Sequence, residues 1–306
     1  MAAGMLVGLA IWFWPSPRPH LLLVTLDTTR ADRLGCYGYA AAKTPVLDAL
    51  HRQRRGEAVV DAALAWLQQK RASPFFCWVH LYDPHAPYLA HDDLFGDEFA
   101  DRPYDAEIAY VDRQVGRLVD FLKARGLEGQ TLVVVVGDHG EGLGEHIEKA
   151  HGMTLYDATQ RVPLIFRHLG RLPPGRWVAN NLSLVDVSLT ILDLLGLADQ
   201  RKITGKSFRP LLTGSEGLGE GQERPSPCYG ATDEPFLING CSPLRSLTQD
   251  DWKYIRTTRA ELYDLANDPH ERQNLAEFAE AQAVFRALLA VKQDALAGHY
   301  GLGNVL

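Results

Sequence analysis

The sequence has no C-x-x-C pair among its four cysteines and no block of basic residues, and none of its apolar runs is as long as a membrane span. The first absence excludes a cysteine-based zinc site. The second, with a formal net charge of −7, argues against a nucleic-acid partner. An acidic surface also repels anionic substrates, so any anion must be met by a local cation or a group of histidines. No internal repeat is present. At 46% hydrophobic and 23% charged residues, the chain is globular rather than disordered. Its 306 residues suffice for one large α/β domain, or a large and a small one.

The longest uncharged run, Met1 to Trp14, would span about 21 Å as a helix, short of the roughly 30 Å hydrocarbon core. Pro15, Pro17 and Pro19 end it. Apolar on every face, it reads as a signal or anchor segment with a proline-rich linker over 1–19, which predicts an extracytoplasmic or outward-facing, membrane-anchored chain. Cys36 and Cys77 sit in apolar surroundings and are expected to pack as small hydrophobes, while the spacing leaves a Cys228–Cys241 disulfide open.

Residues 20–26 (HLLLVTL), 75–82 (FFCWVHLY), 131–137 (TLVVVVG) and 162–166 read as strands buried on both faces. Residues 44–54, 57–69 and 105–124 read as helices, the last with Ile108, Val111, Val115, Leu118 and Leu122 at helical spacing. This alternation predicts a mostly parallel central sheet with helices on both faces. From 198 to 228 the chain is rich in Gly, Pro and charge, as in a surface connection. Beyond it, 229–306 predicts a small antiparallel sheet, with strands at 252–256 and 261–265, and a helix over 277–297. The expected division is therefore 1–19, 20–228 and 229–306.

In parallel sheets ligands collect at the carboxyl ends of strands. Three predicted strands end there in an aspartate: Asp27, Asp83 and Asp138. Asp138 is followed by His139, which together offer a carboxylate and an imidazole to one ion, and the flanking Gly137 and Gly140 would let backbone approach a ligand. His146 and His151 follow. His85, between Pro84 and Pro87, suits an oxyanion contact or a proton transfer, whereas His80, inside a strand, reads as structural. Arg30 and Asp32 read as a local ion pair shaping the loop. Gly205-Lys206-Ser207 is no P-loop, because Gln200 stands where glycine is required.

The strings LLLVTLDTTRADRLGCYGY, TPVLDAL, FFCWVHLYDPHAPY, VVVVGDHGEGLGEH, AHGMTLYDATQRVPLIF, LVDVSLTILDLLGL and KYIRTTRAELYDLANDPHERQNLA resemble, in order, the sulfatases of the alkaline phosphatase superfamily. The resemblance covers nearly all of the chain after Pro19. It implies an alkaline phosphatase-like fold and hydrolysis of a sulfate ester carried by a small molecule or glycan. It implies that Asp27, Asp138 and His139 hold one divalent ion, Ca²⁺ or else Mg²⁺, and that His85 and His151 contact the sulfate. Many relatives have a second carboxylate where this chain has Thr28.

Relatives also carry Cys-x-Pro-Ser-Arg, or a serine version, whose first residue is oxidised to formylglycine and attacks sulfur. Here Thr44-Pro45-Val46-Leu47-Asp48 is followed almost at once by AVVDAALAWL (58–67), a helix that the family places much later. The chain is thus shortened near 50/51, and the resemblance predicts a protein without its nucleophile. Cys241-Ser242-Pro243-Leu244-Arg245 fits C-x-P-x-R literally but lies far beyond the Asp138-His139 motif, so Cys241 is a weak substitute. The residues leave two other readings open. One is a two-metal phosphatase or phosphodiesterase that adds Asp83 and His85 as ligands. The other is a non-catalytic anion-binding protein.

Overall fold

The computed structural model describes residues 19–41, 54–69, 74–197, 205–214 and 227–278. The N-terminal apolar run, all but the last residue of the expected 44–54 helix, the 50/51 junction and nearly all of the expected 277–297 helix lie outside these residues. Among the described residues no helix is long and apolar enough to cross a membrane.

In chain order the elements are β1 (His20–Leu26), α1 (Arg54–Gln69), β2 (Phe76–Leu81), α2 (Asp92–Phe95), α3 (Pro103–Ala124), β3 (Thr131–Gly137), α4 (Asp157–Gln160), β4 (Leu164–Arg167), α5 (Val187–Leu194) and α6 (Arg209–Thr213). They are followed by β5 (Cys228–Thr232), α7 (Glu234–Asn239), β6 (Leu244–Gln249), β7 (Trp252–Arg256) and β8 (Ala260–Asp264). The first sheet has the order β2-β1-β3-β4. Its first three strands are parallel, as expected, but β4 runs antiparallel to β3.

Two apolar layers explain the runs of β1 and β3. On one face Leu22, Val24, Leu26, Val133 and Val135 pack under α1 and α3 through Val60, Leu67, Ile108, Val115 and Leu118. On the other, Leu21, Leu132 and Val134 meet Val187 and Ile191 of α5 and Phe208 before α6. With both faces covered, every position of β3 is buried, and all but Thr131 are valine, leucine or glycine. The edge strand β2 departs from this expectation. Its residues alternate between exposed and buried, and Phe76 and Trp78 are 59% and 65% exposed. The run FFCWVHLY therefore has one open face.

The second sheet is antiparallel in the order β5-β6-β7-β8. It packs on the first unit through Ile255 and Tyr263 against Leu155. Between them Lys253 is fully buried, its Nζ 2.7 Å from Asp157 and 2.9 Å from Glu271. Burial alone would lower the lysine pKa, but the two carboxylates outweigh it and raise it.

The Cys228–Cys241 disulfide that the sequence left open is not formed: both are free thiols. Cys228 lies in β5, its thiol pushed up to about 12 by burial and by the charges of Asp186 and Asp157. Cys241 is exposed, beyond α7.

Candidate metal and anion site

Register builds the site. Leu26 pairs with Leu81 on one side and with Gly137 on the other. The next residues, Asp27 and Asp138, therefore leave adjacent strands at the same level and on the same face. Asp83 comes one residue later than its strand mates, and a one-residue offset turns a side chain to the opposite face. It is buried and accepts the Gly56 N–H of α1 at 3.0 Å. Of the three strand-end aspartates, the structure brings two together.

Oxygen atoms of Asp27 and Asp138 and a ring nitrogen of His139 lie within 4.8 Å of one another, and among the described residues no other three His, Cys, Asp or Glu side chains do so. His139 donates its Nδ1–H to the Gly140 carbonyl (3.0 Å), which leaves the Nε2 lone pair for a ligand. That Nε2 is 3.7 Å from Asp27 Oδ1, a buried oxygen with no hydrogen-bond partner. The Asp27 pKa is raised, by burial first and then by the charge of Asp138, against the opposing pull of His139, His85 and His80. A buried orphan oxygen, a nearby second carboxylate and an imidazole lone pair are donors suited to a divalent cation.

Two further histidines face this group. The His151 ring lies 4.4 Å from that of His139 and 5.2 Å from that of His85. His85 stacks on Tyr82 and donates Nδ1–H to the Ala86 carbonyl at 2.8 Å. His151 donates Nδ1–H to Glu141 Oε1 at 3.0 Å, and the other oxygen of that fully buried carboxylate accepts the Tyr88 hydroxyl at 2.6 Å. Sequence reasoning assigned no role to Glu141. The available signal was its place in Gly-Asp-His-Gly-Glu, two residues after His139. His80 also departs from its structural reading, since its Nε2 points toward Asp27 Oδ2 at 3.8 Å.

Other local readings change as well. A Cβ on Gly140 would stand 2.1 Å from the Ala158 carbonyl, and one on Gly137 would stand 2.9 Å from Val162. Both glycines are thus demanded by protein packing, not by a ligand. Arg30 is buried. It pairs with Asp32 as expected, and also reaches Glu145 at 2.8 Å and the Glu141 carbonyl at 3.0 Å. It joins the loops after β1 and β3. Thr28 is buried at a left-handed φ of 49°, its carbonyl held by the Tyr104 hydroxyl. Cys241 Sγ lies 3.9 Å from the Asn239 carbonyl, and the Arg245 guanidinium is bound to Asp233 at 2.6 Å.

The sulfatase family profile matches residues 55–197, and that of the N-sulphoglucosamine sulphohydrolase C-terminal region matches 144–295. The chain belongs to the sulfatase family. This sulfatase chain is 31% identical over 211 residues to a choline-sulfatase of Rhizobium meliloti (strain 1021), covering 66% of the chain and 38% of that protein. It is 30% identical over 179 residues to arylsulfatase K of Xenopus laevis, covering 56% and 33%. The chain thus spans roughly a third of the length of the curated sulfatases it matches. An enzyme solved with D-glucosamine-2-N,6-O-disulfate as substrate shares the fold, with a TM-score of 0.77 at 15% identity, over 93% of this chain and 98% of that one.

Proposed function

We propose that the chain binds a sulfate ester, of a small molecule or glycan, at a site where Asp27, Asp138 and His139 hold one divalent cation, Ca²⁺ rather than a softer metal. The observation that carries this reading is the convergence of those three side chains within 4.8 Å around an unpartnered Asp27 oxygen. When bound, the ion supplies positive charge against the sulfate oxygens. His85 and His151 orient the anion. Their Nδ1–H groups are held by the Ala86 carbonyl and by Glu141, so Nε2 is the ring atom left to meet an anion. A protonated ring donates from that atom to a sulfate or leaving oxygen.

The nucleophile is the missing part. Cys241 and Arg245 do not fit the formylglycine pair, because the arginine is committed to Asp233 and no contact joins Cys241 to the Asp27 group among the described residues. We infer that the segment bearing the family nucleophile is absent near 50/51, and that this chain turns over sulfate esters no better than a trace. It then acts as a binding protein or a damaged hydrolase. In the same reading 20–228 is the sulfatase unit, 229–306 its C-terminal companion, and 1–19 an anchor or signal for an extracytoplasmic location. The test is co-expression with the formylglycine-generating enzyme, mass spectrometry, an aryl sulfate assay, and calorimetry with Ca²⁺ and inorganic sulfate. Binding without turnover is expected. Robust turnover, or an aldehyde at Cys241, would overturn it.

A further inference from the structure

A hydrogen-bond chain runs from Trp78 through Thr25 to His80 on the face that β2 leaves open, and His80 faces Asp27. Trp78 is an exposed aromatic residue on the edge strand, yet its indole is engaged, donating Nε1–H to Thr25 Oγ1 at 3.1 Å. Thr25 Oγ1 in turn lies 2.8 Å from His80 Nδ1. Thr25 and His80 are direct partners in the β1–β2 register, so both point to the face that carries Asp27 two residues later.

The direction of the chain follows from donor and acceptor capacity. An indole N–H can only donate, and a hydroxyl has a single proton of its own. With one lone pair taken by Trp78, the Thr25 proton has His80 Nδ1 as its one acceptor among the described contacts of that oxygen. Assigned on that contact, His80 Nδ1 accepts, which places the proton of the neutral ring on Nε2. This is the reverse of His85, His139 and His151, which carry Nδ1–H. His80 Nε2 faces Asp27 Oδ2 at 3.8 Å, while Oδ1 faces His139 and has no hydrogen bond. The separation exceeds hydrogen-bond length, and a shift of under about 1 Å closes it; such contacts commonly tighten when a site is occupied.

We propose that His80 is a positioning residue for Asp27. Its Nε2–H, enforced by the Trp78–Thr25 relay, holds Oδ2 so that Oδ1 is the oxygen offered to the cation. The inference rests on the proposed assignment of Asp27 to that cation. It differs from it in naming what orients the carboxylate.

The experiment uses the full chain. Imidazole nitrogen NMR at one fixed, mildly alkaline pH reads the His80 tautomer in the ion-free wild type, Thr25→Val and Thr25→Ser. The Nε2–H form is expected in the wild type and Thr25→Ser, with a shift toward Nδ1–H in Thr25→Val. Ca²⁺ titration should show affinity falling about tenfold in His80→Leu. His80→Gln places an amide N–H at the Nε2 position and should recover most of it. An Nδ1–H tautomer in the wild type, or wild-type Ca²⁺ affinity in His80→Leu, would overturn this inference alone. A wild type that binds no Ca²⁺ would overturn the cation assignment and this inference with it.

Discussion

Asp27 and Asp138 leave neighbouring parallel strands at the same level, because Leu26 and Gly137 are register partners. Two carboxylates that would otherwise repel are held together by a backbone ladder, and His139 completes the group from the adjacent position.

Asp138→Asn should abolish Ca²⁺ binding and the thermal stabilisation that Ca²⁺ confers. A ligand at a hundred times its Kd stabilises by about 2.7 kcal/mol, so the wild-type shift is readily measured. Asp27→Asn should lose the same shift. Its melting temperature without ion should be no lower than wild type, since a buried charge beside Asp138 has been removed. Scanning calorimetry with and without Ca²⁺ checks both, and an unchanged Ca²⁺ response in Asp138→Asn would exclude this ligand.

Glu141→Ala should cost about 1 to 3 kcal/mol, because the Tyr88 hydroxyl and His151 Nδ1–H both lose their acceptor. Glu141→Gln should cost less and still weaken sulfate binding, since one amide oxygen cannot serve both donors as the carboxylate does. Denaturant melts and sulfate calorimetry measure the two effects. Equal sulfate affinity in wild type and Glu141→Ala would show that His151 needs no such support.

Lys253→Met should destabilise by about 3 to 5 kcal/mol, because it leaves Asp157 and Glu271 without their buried counter-charge. The Lys253 pKa is raised in the folded protein. Its contribution is therefore fully present below the unfolded value, about 10.4, and is lost as pH rises through the higher folded value. The gap between wild type and variant should hold across neutral pH and narrow only above that range. Urea melts across pH test this, and a gap that closes near pH 7 would refute it.

Leu118→Ala should cost about 2 to 5 kcal/mol through the cavity it opens between α3 and the sheet. It should leave Ca²⁺ affinity of the folded protein unchanged, because Leu118 lies in the layer under α3 while the ligands stand at the strand ends.

The strands and their terminal aspartates were legible because β1 and β3 lie between two apolar layers, which favours largely apolar runs that stop where the chain meets solvent. Asp138-His139 was legible as a pair of adjacent donors. His80 was not, because FFCWVHLY is as apolar as a doubly buried strand, and only its place at the sheet edge leaves one face open. Asp83 looked equivalent to Asp27 and Asp138, and the register sets it one residue out of step.

The sequence by itself determined the α/β layering, the second antiparallel sheet, and the residue types that can meet a cation and an anion, since burial period and donor chemistry are local properties of the chain. Tertiary structure alone decided which donors converge, which partner each histidine ring meets, and that Glu141 and Lys253 are buried with their partners. Those outcomes depend on lateral neighbours, such as Thr25 beside His80 and Asp157 beside Lys253. Strand order and register bring them together across 55 and 96 residues of chain, a separation no local pattern encodes.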